Sequence, residues 1–385
     1  MKWGKIKMLL SSWRKRFAKG VKKQPVLAIS AFCAFLSACF VPPSPAYLSY
    51  IDWDVLMLLF SLMAVFAGLS KSGLFQGLAR RLLAGERNFR GLSLILVLLP
   101  FFFSMLVTND VALIAFVPFT VLILSLAGQN HCLIYIIVLQ TVGANLGSML
   151  TPSGNPQNLY LYSFYQIPAG DFFAVTLPVV LLSLLTLAAA ALFVPRTRVQ
   201  VCLDGVSGEQ SKKGLLFYGL LFLLCLGGVF RWVPVWAVFL ICLAFLLCYD
   251  RILLRNVDLG LLATFVCFFI FAGNLGNIPA VRNVLAAWME RNACLTAAAA
   301  SQVMSNVPAA IVLSAFTDNW RALLLGVDIG GLGTPIASLA SLIAFQFYLK
   351  TPNARALRFL LVFTAANGIG LVVLMLFSRL LGLWQ

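Results

Sequence analysis

Two polar tips and two polar breaks interrupt an otherwise apolar sequence. The tips are Thr108-Asn109-Asp110 and Ser305-Asn306-Val307-Pro308, each set between apolar arms. The breaks are Gly147-Ser148-Met149-Leu150-Thr151-Pro152-Ser153-Gly154-Asn155-Pro156 and Gly330-Gly331-Leu332-Gly333-Thr334-Pro335. A helix broken inside a bilayer leaves backbone N–H and C=O groups without water, so it must face protein or an aqueous cavity. Half-helix N-termini then offer N–H groups and partial positive charge to anions, and broken C-terminal ends offer carbonyl oxygens to cations. The candidate substrate-binding residues are Thr108, Asn109, Ser305, Asn306, Asn155, Thr151 and Thr334. The candidates for a bound cation or proton are Asp110, Asn109, Asn145, Gly154, Asn306 and Asp328, because intramembrane carboxylates mark ion sites. Asn109 and Asn306 also suit N-caps of the arms that follow, and Asn155 suits one before Pro156. Asp110 could be a capping acid only, and Asp328 could sit near the outer water.

Other chemistry is poorly supplied. Tyr249-Asp250 has no Gly-x-Gly-Asp partner for an intramembrane aspartyl protease, and no phosphate-binding Gly-rich Lys loop is present. His131, the single histidine, falls in a turn where solvation explains it. The nine cysteines lack C-x-x-C spacing and lie mostly in apolar runs, as packing residues do. No cofactor and no catalytic residue is implied, and no metal beyond Na⁺ or H⁺ as coupling ion. The stretches Gly91 to Gly170 and Asn292 to Trp320 contain no Lys or Arg. An anionic substrate held there must be met by helix ends, by a co-bound cation, or by both.

Elements that could carry such breaks follow from composition. The chain is 62% hydrophobic and 10% charged, against roughly a quarter charged in soluble domains. Its apolar runs recur near the ~20 residues that cross a bilayer as helix. The net charge of +16 lies between those runs, so it reads as membrane orientation and not as a nucleic-acid surface. Nine cations fall in residues 1–24 among Trp3, Ile6, Leu9, Leu10, Trp13 and Phe17. That pattern fits a basic amphipathic helix on the cytoplasmic surface or a basic leader that fixes topology. Counting crossings against the cationic turns puts the N-terminus inside and the C-terminus outside a bacterial-type inner membrane.

The sequence also resembles itself. A shift of 197 pairs Ser104 with Ser301, Asn109 with Asn306, Ala112 with Ala309 and Phe119 with Phe316. A shift of 183 pairs Gly143 with Gly326, Gly147 with Gly330 and Thr151-Pro152 with Thr334-Pro335. Phe66-Ala67-Gly68 recurs as Phe271-Ala272-Gly273. The first tip follows an inside stretch and the second an outside loop, so the copies are inverted, the pattern of secondary transporters. The expected fold is an all-α polytopic membrane protein with two re-entrant hairpins, two interrupted helices and about nine full crossings. Its parts are a basic segment 1–24, a first repeat 25–194, a cytoplasmic connector and linking helix 195–231, and a second repeat 232–385.

Thr108-Asn109-Asp110, Gly143-Ala144-Asn145-Leu146-Gly147 with Thr151 to Asn158, and Ser305 to Pro308 resemble the ion transporter superfamily of divalent anion:sodium symporters, citrate transporters and arsenite permeases. The resemblance implies a homodimer working by elevator-like alternating access in the lipid bilayer. It also implies tips that bind substrate and help form Na⁺ sites. Val307 replaces a hydroxyl of the symporter pattern, Asp110 adds a carboxylate, and Ile336-Ala337-Ser338 replaces Ser153-Gly154-Asn155 in the second break. The leading expectation is a secondary active transporter of a small inorganic or organic anion, coupled to Na⁺ or H⁺ bound near Asp110. The alternatives are a Na⁺/H⁺ antiporter or arsenite-type efflux permease, and an intramembrane enzyme stands behind both.

Overall fold

The computed structural model describes residues 25–74, 77, 85–201 and 211–385. The basic segment 1–24 and the cations Arg80 and Arg81 lie outside them. The chain is an all-α polytopic membrane protein. Seven of the described helices are long and apolar enough to cross a bilayer, and shorter apolar helices accompany them.

The first half runs through α1 (Pro25–Ala38), a single turn α2 (Tyr47–Tyr50), α3 (Trp53–Lys71), α4 (Phe89–Ser104), α5 (Asn109–Leu126), α6 (Leu133–Ser148), α7 (Pro156–Phe164) and α8 (Ala169–Ala191). The second runs through α9 (Lys212–Val229), α10 (Val235–Tyr249), α11 (Leu259–Gly276), α12 (Pro279–Met304), α13 (Asn306–Ser314), α14 (Trp320–Gly330), α15 (Leu339–Leu349) and α16 (Ala356–Leu380). Helices start where a side chain can satisfy orphan N–H groups. Asp52 accepts from Val55 N at 3.0 Å, Ser211 from Gly214 N at 3.1 Å, and Asp258 from Leu261 N at 3.0 Å. Apolar residues remain exposed along one stripe of α16, Leu357, Leu361, Ile369, Leu376 and Leu380, a surface suited to an apolar surrounding.

Two features were not expected from sequence. Gly85–Asn88 (β1) pairs antiparallel with Arg198–Val201 (β2), a two-stranded ribbon inside the otherwise all-α fold. The long α12 is two helices, because Asn292 leaves helical geometry at φ −164° and ψ 92° and its side chain caps Leu295 N at 2.9 Å.

Hydrogen bonds join helix ends that the crossing count assigns to one membrane side. Towards one side, Tyr135 Oη donates to Ala190 O at 2.7 Å, Arg90 Nε to Val194 O at 3.0 Å, and Lys71 pairs with Asp250 at 2.5 Å. Towards the other, Tyr165 Oη donates to Thr317 O at 2.7 Å and Asn319 Nδ2 to Trp384 O at 2.8 Å. Helix α3 packs on α9 and α10, and α1 on α11. Helices α4, α5, α6 and α8 form a second cluster, joined by α15 and α16. The glycines of the repeated Phe-Ala-Gly motif each leave room for a tyrosine ring, Gly68 for Tyr218 and Gly273 for Tyr50.

Candidate functional site

Both tips end against a break. Helix α4 stops at Ser104 and α5 begins at Asn109, whose backbone N–H donates to Gly154 O at 3.2 Å. Helix α12 stops at Met304 and α13 begins at Asn306, whose N–H donates to Ala337 O at 3.0 Å. Thr151 Oγ1 donates to Met105 O, and Thr334 Oγ1 to Gln302 O at 3.2 Å. The tip residues in these pairs differ by 197 and the break residues by 183, so the contacts recur at the offsets read from sequence. Close approaches recur likewise. Gly143 faces the carbonyl of Val97 and Gly326 that of Cys294, while Gly147 faces Phe101 and Ser104 and Gly330 faces Ala298 and Ser301. Glycine at these four positions is what lets each broken helix reach its hairpin.

Asn109 and Asn306 are not N-caps, contrary to expectation. Each is the first residue of its helix, with an Oδ1 that accepts from the next N–H, Asp110 at 3.0 Å and Val307 at 2.9 Å. The cap positions belong to Thr108 and Ser305, and neither side chain makes a cap bond. The Asn109 amide bridges the tip to the first break's helix: its Oδ1 stays on the Asp110 N–H while its Nδ2 donates to Asn145 Oδ1 at 2.9 Å. Asn155 does cap α7, accepting from Asn158 N at 2.8 Å. The tips also differ in backbone. Ser305 holds φ 75° and ψ 155°, a region nearly reserved to glycine, whereas Thr108 is relaxed at φ −65° and ψ 152°.

The polar centre is built across the halves. Asn145 Oδ1 accepts from Asn109 and from Ser338 Oγ at 3.1 Å, and its amide faces Ser341 Oγ at 3.4 Å. Asp328, at the position equivalent to Asn145, takes Asn155 Nδ2 at 3.3 Å and Gln157 Nε2 at 3.2 Å on one oxygen. Its other oxygen is buried without a hydrogen-bond partner among the described residues. Asp328 is 3% exposed, so it does not sit in the outer water. Each half's broken helix thus presents its amide or carboxylate to the other half's loop.

Asp110 lies apart from this network. One of its carboxylate oxygens is buried without a partner, and the residue lines a cavity of about 570 Å³ with Thr108, Lys71, Asn256 and Asp258. Lys71 in that cavity is occupied by Asp250. The structure therefore joins Asn109, Asn145 and Gly154 at one point and Asn155 and Asp328 at another. Ser305 and Asn306 meet Ala337, and the hydroxyls of Thr151 and Thr334 tie break to hairpin. Gln157, Gln302, Ser338 and Ser341 were missed by sequence reasoning. The shift of 183 places Ser338 and Ser341 opposite Asn155 and Asn158, a signal that could have found those two.

Comparison with known proteins finds transporters. Residues 8–322 match the family model described as citrate transporter. An uncharacterized transporter of Methanocaldococcus jannaschii is 31% identical over 331 residues, 86% of this chain and 90% of that one. The inner membrane protein YbiR of Escherichia coli is 31% identical over 315 residues, 80% of this chain and 83% of that one. A silicon efflux transporter of Oryza sativa subsp. japonica is 34% identical over 138 residues, 35% of this chain and 27% of that one.

Proposed function

Because this chain belongs to the citrate transporter family, we propose that it is a secondary active transporter moving a small inorganic or organic anion coupled to Na⁺ or H⁺. Family and relatives make it a membrane transporter and not an enzyme. The observation that carries cation coupling is Asp328. A carboxylate buried in protein costs several kcal/mol unless charge is compensated. Its partners are the neutral amides of Asn155 and Gln157, and its second oxygen has none among the described residues. A monovalent cation or a proton completes that site. At the tips the Asn109 N–H is bonded to Gly154 O and the Asn306 N–H to Ala337 O, so the anion's charge is met chiefly by the co-bound cation.

The recurrence of tip-to-break contacts supports an inverted repeat whose hairpins and breaks form the moving unit of an elevator cycle, with α3, α9 and α10 as scaffold. A homodimer follows from the family resemblance. The cationic turns favour an N-terminus in the cytoplasm and a C-terminus outside, and the Escherichia coli relative favours an inner membrane.

Uptake of labelled citrate, sulfate and arsenite into proteoliposomes under imposed Na⁺ and pH gradients tests the reading. An anion that is carried at a rate indifferent to every cation gradient would sink it. The cavity joining Asp110 to Asp258 favours a second reading, cation/proton antiport. A pH-sensitive dye in Na⁺-pulsed vesicles separates the two. Efflux, the direction in the name of the rice protein, is read by the same vesicles loaded from within.

A further inference from the structure

Far from the polar centre, a cavity of about 540 Å³ opens between the start of α6 and the turn from α15 to α16. Its basic lining is the imidazole of His131 and the guanidinium groups of Arg355 and Arg358, with no carboxylate among the lining residues. Elsewhere Arg90, Arg231 and Arg251 donate their guanidinium groups to backbone carbonyls. Arg355 and Arg358 make no such bond and no ion pair among the described residues; the Arg355 backbone N–H alone is bound, to Tyr348 Oη at 2.9 Å. That bond holds the turn and leaves the guanidinium unused. Arg355 also stands at the N-cap of α16 without a capping side chain, so the positive end of that helix adds to the field.

We propose that this cavity binds a phosphate group, carried either by the free anion or by the headgroup of an anionic lipid. Two guanidinium forks and an imidazole around one concavity suit a tetrahedral oxyanion better than a planar carboxylate, which one fork would satisfy. The volume admits a headgroup and exceeds what a halide needs. Leu357 and Leu361 on α16 are exposed apolar residues beside the cavity, so its rim meets the acyl region. The site also touches the coupling machinery from a distance. Helix α6 begins at the cavity and carries Asn145 near its other end, while α15 starts beside Ser338 and ends at the cavity. Occupancy would therefore restrain the two helices whose far ends meet at the polar centre.

The test uses the full chain in nanodiscs. One arm holds phosphatidylcholine alone and is titrated with inorganic phosphate; the other contains phosphatidylglycerol and no inorganic phosphate. Thermal midpoint and native mass spectrometry are read in both. One phosphate or one retained anionic lipid per chain is expected in at least one arm, and the arm that responds names the source. The double variant Arg355→Gln/Arg358→Gln is expected to weaken that binding tenfold or more, and Lys213→Gln, an exposed cation elsewhere, to change it less than twofold. His131→Gln, a milder change should the double variant misfold, is expected to weaken it about threefold. Binding in neither arm overturns the proposal, as does equal loss in Lys213→Gln. So does a phosphate response that survives the arginine variants and disappears in Asn109→Ala, since that places the anion at the polar centre.

Discussion

One chemical change, glycine to alanine, is predicted to have opposite signs at two helix positions. A Cβ on Gly147 would collide with the carbonyl of Phe101 and lie 2.8 Å from Ser104 Oγ. A backbone carbonyl cannot rotate away, so α6 must retreat from α4. Overpacking of this kind costs about 1–3 kcal/mol. The retreat also stretches the 2.9 Å bond from Asn109 to Asn145, which is worth about 0.5–1.5 kcal/mol. Helix propensity returns up to about 1 kcal/mol, leaving a net loss of roughly 0.5–4.5 kcal/mol. A Cβ on Gly219 in α9 meets nothing within 4 Å, so only the propensity gain of about 0.5–1 kcal/mol remains. Purified variants heated and assayed for surviving monodisperse protein should separate clearly. At about 2 °C per kcal/mol, Gly147→Ala should fall by about 1–9 °C and Gly219→Ala should rise by about 1–2 °C. Gly143→Ala, whose nearest neighbour is Val97 O at 3.3 Å, should fall between them. A Gly147→Ala protein as stable as the wild type would refute the close-approach argument.

The Asp328 site predicts that Asp328→Asn abolishes stabilisation by Na⁺, which at a hundred times Kd amounts to about 2.7 kcal/mol; titration by thermal shift reads it, and persistence of the shift with loss in Asp110→Asn would move the cation to Asp110. Ser305→Gly should be more stable than Ser305→Ala by about 1–3 kcal/mol, because both lose the hydroxyl and glycine alone tolerates φ 75°; equal thermal midpoints would remove strain from the account. Arg231 donates to Tyr162 O at 2.6 Å and lies 4.5 Å over the Tyr162 ring, so Arg231→Ala should free the end of α7 by about 2 kcal/mol. Faster hydrogen exchange over residues 156–164 would show it, and unchanged exchange there would contradict it.

What the sequence made legible is what the bilayer enforces. Long apolar runs and their Gly/Pro breaks are unambiguous because hydrocarbon tolerates no unsatisfied backbone, so the α6–α7 and α14–α15 interruptions lie close to where the residues mark them. The ribbon of β1 and β2 was hidden because β2 alternates over four residues only and β1, Gly-Glu-Arg-Asn, carries no apolar alternation. Asn292 was hidden for another reason: a cap inside a continuous helical pattern looks like any exposed asparagine. At the site, types and offsets pointed to Asn109, Asn145 and Asp328. Their partners were set by how the halves face one another, which a linear pattern does not encode. Asn109, expected as a cap, spends its Nδ2 on Asn145, a contact that only the folded arrangement of helices reveals.

The crossed pairing at the centre also sets a schedule for biogenesis. Asn145 waits for Ser338, which lies 193 residues later. At roughly 5–20 residues per second of synthesis, that interval is about 10–40 s. Throughout it the first half stands in or beside the membrane with its break unmatched. Asp328, for its part, arrives to find Asn155 and Gln157 already made. A nascent chain in this condition needs water or a chaperoning surface at mid-bilayer depth. Degradation at that stage, before any transport is possible, would be the first penalty for a substitution at Ser338.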